Sequence, residues 1–537
     1  MTRACRVIVC AFAVLLWGFP PIAAHPDGQM QMPAARPPVD HDTPLFSRAL
    51  GPFTRPISSV APEVQAYFDQ GMQMMYAFDT ALAGESFREA EKRDPACAMC
   101  FWGDAWSWGA YLNAPMPPDQ EPMAYAAIQR AVTLAPAHAS PVERALIDAM
   151  ATRYAAVYNP STRRAQDEAY ANAMRGVYER FSGDLDVATL YAESLFLLEP
   201  RRGARDITSP NVVRILAVLE GTLANGVKHV GACHLLIHLT EATSDPGRAE
   251  ACADYIGNAI PGASHINHMP SHTWNGIGRW GDSVRANLEA WHSDQKAAVG
   301  EGFAIYPTHN LHMLAFAASM DGQGAIAIQA GKDYEKITHD SMFRVLTLVR
   351  FGRFDEVLEI TRRPPDDTVS MGVWEFGQGY ARLRAGDAPA VAAHLAQLKV
   401  AASSNAIFRF HSAHDLLGTL AALLEGEMQR ATGDLDAAIA SFERAVALQD
   451  AMIYDEPEPL PFAARHWLGA ALLDASRDAD AERVYRQDLV KHPKNGWALF
   501  GLKAALNGQH KPAADVAADF TASWARSDMW IRRSSPP

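Results

Sequence analysis

The chain has 537 residues, 49% of them hydrophobic and 20% charged, with a formal net charge of -13. That length suits several domains or one long repeat array, and the composition excludes a disordered chain. An acidic chain repels phosphate backbones, so nucleic acid is not an expected partner.

Residues 1–24 have the form of a secretory signal. Arg3 and Arg6 precede an apolar run from Val7 to Phe19, Pro20-Pro21 breaks it, and Ile22-Ala23-Ala24 offers a cleavage site. No cysteine follows that site, so no lipid anchor is expected, and no later segment has the length of a membrane span. The mature chain is therefore expected to be periplasmic or secreted, with His25 at its new N-terminus. Residues 25–60, rich in Pro and Met (Met30, Met32) and without helical period, read as a flexible leader.

Four cysteines remain after cleavage, an even number in an oxidising compartment. Asp94-Pro95 resembles a helix N-cap and first helical residue, so Cys97-x-x-Cys100 falls at a helix start and reads as a local staple. Cys233 and Cys252 are expected on successive helices as a second bridge, which a mass shift on reduction would reveal.

Gly71, Ala83, Phe87, Ala90 and Pro95 carry the spacing of a tetratricopeptide repeat: a small residue where two helices meet, an aromatic between repeats, a proline as the stop. Gly433 to Ala445 repeats it around Phe442, and Leu468-Gly469, Ala481, Tyr485 and Pro493 repeat it again. Weaker copies lie at Gly278 to Ser283 and Phe351 to Phe354. No strand-like alternation survives for any length. The expected fold is all-α, a right-handed superhelix of helical hairpins, with repeats over 61–200, a histidine-rich centre over 201–330, further repeats over 331–525 and a tail from 526 to 537. Longer connections are expected near 155–165, 200–210, 297–307 and 453–462. Trp102, Trp106, Trp108 and Met72, Met74, Met75 read as core.

Nine of the 19 histidines fall between His229 and His312, roughly three times an even share. His234 and His238 are four apart, so they share a helix face, and His268 and His272 repeat the pair 34 residues on, one tetratricopeptide period. His309 and His312 follow Pro307, which is placed to open a third helix. Glu241 continues the first stripe, and His265 is expected in the loop before the second helix. Seven imidazoles and one carboxylate thus converge on a concave groove. Imidazole nitrogen suits copper, zinc or iron rather than calcium or magnesium. Three ligands per ion with one position open is the usual catalytic arrangement, and two such sets would resemble a coupled dicopper centre in ligand number. His229 and His292 fall off the stripe and read as surface residues.

Cys97-Ala-Met-Cys-Phe-Trp-Gly103, His234-Leu-Leu-Ile-His238, His265-Ile-Asn-His-Met-Pro-Ser-His272, His309-Asn-Leu-His312, Tyr454-Asp-Glu-Pro457 and Asn495-Gly-Trp497 give the chain its resemblance to a group of exported bacterial tetratricopeptide-repeat proteins. The resemblance implies the superhelix and makes the blocks parts of one site; it brings no reaction with it. The Tyr454–Pro457 loop is a candidate cap for the groove, and Asn495 reads as a helix start. GxSxG, HExxH, P-loop and CxxCH motifs are absent.

Two functions follow. The first is a metal-dependent oxidase or oxygenase, copper favoured and iron or zinc the alternatives, with His234, His238, His268, His272, His309 and His312 as ligands and His265 and Glu241 as ligands or their supports. The second is a non-catalytic scaffold that binds a peptide, a protein or a metal in its groove.

Overall fold

The computed structural model describes residues 42–200, 203–364 and 367–536. The signal segment, His25, Met30 and Met32 lie outside them. Among the described residues there are 25 α-helices and one two-stranded ribbon, Ile407–Phe408 against His411–Ser412. Nearly every helix packs on its neighbours in sequence, and many also touch the helix after next, the contact pattern of stacked hairpins. The fold is an all-α solenoid of the tetratricopeptide type. No described helix is long and apolar enough to cross a membrane.

The repeat residues do what their spacing predicts. Phe87, fully buried, lies between Gly71 and Gly103, and a methyl group on either glycine would stand 2.5 Å from its ring. Tyr485 lies in the same way between Gly469 and Gly501, and Phe442 against Gly426. Ala83, Ala90, Ser283, Ala445 and Ala481 are buried where helices meet. The weak copy after Phe351 is cut short. Its second helix is only Phe354–Leu358, in a segment that soon reaches Pro364.

Several local expectations are corrected. The helix after Asp94 begins later, at Ala98: Pro95 and Ala96 form a turn on Asp94, and Cys97 is the N-cap. Both expected bridges are present, Cys97–Cys100 and Cys233–Cys252. The connection near 155–165 is shorter, because Pro160 already opens the helix Pro160–Arg180.

Residues 42–60, expected to belong to a flexible leader, form a packed strap. The Gln70 and Gln73 side chains accept from the Phe46 and Gly51 amides, and Gly262 donates to the Ala49 carbonyl. Arg55 reaches Asp184 and Asp186 at 2.8 and 2.9 Å, and Phe46 meets Phe303 edge-on at 5.0 Å. These groups satisfy the backbone of an aperiodic segment that has no ladder of its own.

The solenoid also closes on itself. Trp280 donates to the Pro493 carbonyl and Trp497 to that of Ser319, both at 2.8 Å. The tail continues the closure: Arg526 pairs with Asp321, and Asp528 accepts from the first amides of the helix Gly324–Thr338. The C-terminal hairpins and the loop between Ala451 and Arg465 therefore cover the histidine-rich centre rather than leaving an open groove.

Candidate metal centre

Three helical stretches supply the histidines. Val230–Thr240 carries His234 and His238 one turn apart, with Glu241 just past its end. Ser264–His268 runs into Pro270–Ile277 through Met269, which keeps helical angles, so His265, His268 and His272 follow one axis. His265 is thus on a helix, not in a loop as expected. Pro307 opens Pro307–Met320, which carries His309 and His312.

The rings sort into two groups of three, His234 with His238 and His265, and His268 with His272 and His309. In each group one nitrogen from every ring lies within 4.8 Å of the others. Each HxxxH pair takes its third member from elsewhere in the sequence. His265 stands three residues before His268, nearly one turn, and so faces the preceding helix; His309 comes from the following one. The groups abut: His238 and His272 rings are 5.2 Å apart, and His265 and His268 rings 5.3 Å.

His312 joins neither group. Three residues is short of a full turn, so with His309 facing the centre, His312 turns toward the next hairpin. It stacks on Phe343 at 4.1 Å and reaches the Glu458 carbonyl at 3.2 Å. His229, expected at the surface, is buried instead: it caps the helix Val230–Thr240 and binds Asp186 at 3.1 Å. His292 is exposed, as expected.

None of the six rings is more than 5% exposed, so they are interior groups rather than the lining of an open groove. Four have the outer nitrogen fixed. His234 Nδ1 donates to the Tyr76 carbonyl at 2.6 Å, and His268 Nδ1 to Asn287 Oδ1 at 3.1 Å, Asn287 being oriented by its own bond to Ser283. His238 Nδ1 lies 2.7 Å from Glu241 Oε1, and His272 Nδ1 meets the other oxygen of the same carboxylate. One buried carboxylate thus holds a ring from each group. Fixing Nδ1–H leaves the Nε2 lone pair to the interior.

Three rings then have nitrogens that nothing satisfies: His234 Nε2, both nitrogens of His265, and His309 Nδ1. A buried polar atom without a partner costs about 1–3 kcal/mol, and these four are donors and acceptors, of which a metal ion could satisfy the acceptors. Burial, aided by neighbouring rings, draws His234, His265, His268 and His309 well below the ordinary histidine value, which keeps them neutral and able to ligate. His272 is the exception. Burial opposes its charge, but Glu241 and Glu456 raise it to about 10, and its Nε2 lies 2.8 Å from His268 Nε2.

Aromatic rings and two loops close the centre. Phe78 lies on His234 at 4.1 Å and Tyr306 stands edge-on to His265 at 5.1 Å. The Tyr454–Pro457 loop covers the other side, as its place in the sequence suggested: Tyr454 bonds Glu241, and Glu456 lies 3.3 Å from His272 Nδ1. Arg409 holds Asp455 in a two-pronged pair at 2.7 and 2.6 Å. A narrow pocket reaches Glu241 and His238 between Asn113, Arg205, Phe410 and Tyr454; its free volume, about 20 Å³, admits about one water. Asn287, Tyr76, Phe78, Tyr111 and Tyr306 carried no signal in the sequence. Asn495 is the N-cap of the helix Gly496–Gly508, as expected.

No family model and no curated relative matches the chain. Among solved structures it is similar to the human IFIT1 dimer with PPP-AAAA, at 11% identity and a TM-score of 0.29, covering 87% of this chain and 91% of that one. It is also similar to the Cut9-Hcn1 hetero-tetramer of the APC/C, at 11% identity and TM-score 0.28, covering 88% and 89%. A third is the P58(IPK) TPR domain, at 9% identity and TM-score 0.21, covering 83% and 98%.

Proposed function

We propose that the chain is an exported metalloprotein whose two histidine groups hold a pair of transition-metal ions, and that it works as an oxidase or oxygenase on a small organic substrate. The observation that carries this reading is the set of partnerless buried nitrogens on His234, His265 and His309, inside two three-ring groups whose other rings are anchored from behind. All-nitrogen donors in an oxidising compartment favour copper; iron and zinc are the alternatives. Copper or iron bound there supplies one-electron chemistry toward dioxygen.

The protein's own contribution is legible in the arrangement. Tyr76, Glu241 and Asn287 fix tautomers and ring orientation, Phe78 and the Tyr454–Pro457 loop restrict access to the narrow pocket, and three ligands per ion leave a coordination position open. Burial weighs against a peptide groove lined by these histidines, and it leaves the organic substrate only the narrow pocket beside Tyr454 as its approach, with dioxygen small enough to pass further.

The test is elemental analysis by plasma mass spectrometry on untagged protein. Two equivalents of one transition metal are expected, falling to none in the double variant His234→Ala, His268→Ala. Unchanged metal content in that variant, or none in the wild type after reconstitution, would remove the reading.

A further inference from the structure

Three non-glycine residues around the centre have left-handed backbone angles: Phe78 (φ 63°), Tyr306 (φ 58°) and Arg409 (φ 55°). For a bulky side chain that conformation costs free energy and persists only where the surroundings enforce it; such strain gathers at working sites. Arg409 is accounted for by its pair with Asp455. Phe78 is accounted for by its contacts on three rings, His234, His238 and His265. Tyr306 needs another reason. It precedes Pro307, and its angles swing the ring back from the start of its own helix, perpendicular to His265.

Two further observations meet at that spot. His265, 1% exposed, lacks a partner at either nitrogen, so an ion on one still leaves the other unsatisfied. The Tyr306 hydroxyl lies 2.7 Å from that of Tyr111 and also bonds the Asn113 side chain, at the wall of the narrow pocket. Tyr111 belongs to a tight turn closed by mutual backbone bonds with Ala114, and that turn also carries Leu112 and Asn113, two walls of the narrow pocket. The pocket thus runs from the turn that carries Tyr111 to His238, a member of the same group as His265, and it takes a molecule the size of water.

We propose that Tyr306, held by Tyr111, is the positioning residue for a small oxygen- or nitrogen-donor ligand bound at the His234–His238–His265 group, with its hydroxyl hydrogen-bonding that ligand. The ligand class is a water, hydroxide or small anion, reached through the pocket beside Asn113. This rests on the metal reading above and adds the residue that meets what the ion binds. Removing one hydrogen bond to a charged ligand weakens it about tenfold or more.

Azide is the probe, titrated into copper-loaded wild type, Tyr306→Phe and Tyr111→Phe and followed by its charge-transfer absorption. The expected result is an azide Kd raised about tenfold in Tyr306→Phe and by a smaller factor in Tyr111→Phe, with copper content and circular dichroism unchanged in both. A Kd in Tyr306→Phe within about twofold of wild type would overturn the proposal. So would loss of copper from that variant with its fold intact, which would make Tyr306 a support of the ligands, and so would a loaded wild type that gives no azide band. A wild type that holds no metal would remove the metal reading itself, a different result from any of these.

Discussion

Glu241 shows how one side chain can govern two sites. Its oxygens face His238 Nδ1 and His272 Nδ1, so both rings must carry their proton there and offer Nε2 to an ion. Burial would favour the neutral acid, yet the adjacent His272 holds the carboxyl below its usual range. Glu241→Gln keeps the shape and replaces one acceptor by an amide donor. One of the two rings must then move its proton to Nε2 and lose its lone pair toward the ion. If the two groups hold two ions as proposed, the variant should bind one of them about 10–100-fold more weakly with an unchanged circular dichroism spectrum. A metal titration showing two sites of wild-type affinity would refute this. The sequence exposed Glu241 through its place on the His234–His238 stripe, but not which role it takes. That depends on His272, which faces it from another helix. His312 had the same standing in the sequence as His309, and only the rotation of one helix separates them.

At the scale of elements, the repeat pattern was readable because its cause is local: an aromatic on one helix needs a hydrogen atom opposite it on the next. Gly103→Ala would press a methyl group to 2.5 Å from Phe87, in a buried site with little room to give. We expect a loss of about 1–3 kcal/mol in chemical denaturation, against near neutrality for Gly176→Ala, where a methyl group would meet nothing within 4 Å. Equal effects would mean that these glycines do not set the helix approach. The histidine register was readable for the same reason, since a fixed period puts equivalent residues on equivalent faces. The strap of 42–60, the turn at Tyr111 and the loop at Tyr454 have no period; their positions come from partners far away in sequence, such as Asp184 and Glu241.

The whole molecule carries an unusual load of buried histidine, and its stability should follow pH accordingly. His312 is drawn to about 3 and His466 to about 4, chiefly by burial, while His234, His265, His268 and His309 also fall well below the ordinary value. Below about pH 6.5 the unfolded chain protonates these groups and the folded chain does not, so acid favours unfolding by about 1.4 kcal/mol per pH unit for each. Burial raises five carboxyls, which pull the other way: Glu91 to about 9, Asp294 to about 7, and Asp69, Glu193 and Asp340 above their usual range, against six imidazoles. His492 is opposite in sign: Glu458 and Asp488 overcome its burial and raise it to about 10, so its contribution is complete below about pH 6.5 and lost as pH climbs toward 10. Metal-free protein should therefore melt at its highest temperature near pH 6.5 and lower on both sides. A flat melting temperature from acid to alkaline pH would contradict that balance.

The N-terminal strap has a bearing on how the molecule comes to be assembled. Its anchors lie at Asp184, Asp186, Gly262 and Phe303, so the segment synthesised first must wait for more than half the chain before it can dock. Phe53 of the strap meets Tyr76 and His229, and Tyr76 supplies the carbonyl that orients His234. The front of the chain is thus the last piece of the central hairpins to settle, a long-range closure of the kind that slows folding. Before that step Tyr76, whose carbonyl orients His234, lacks its packing against Phe53, so docking of the strap is what firms the support behind that ring.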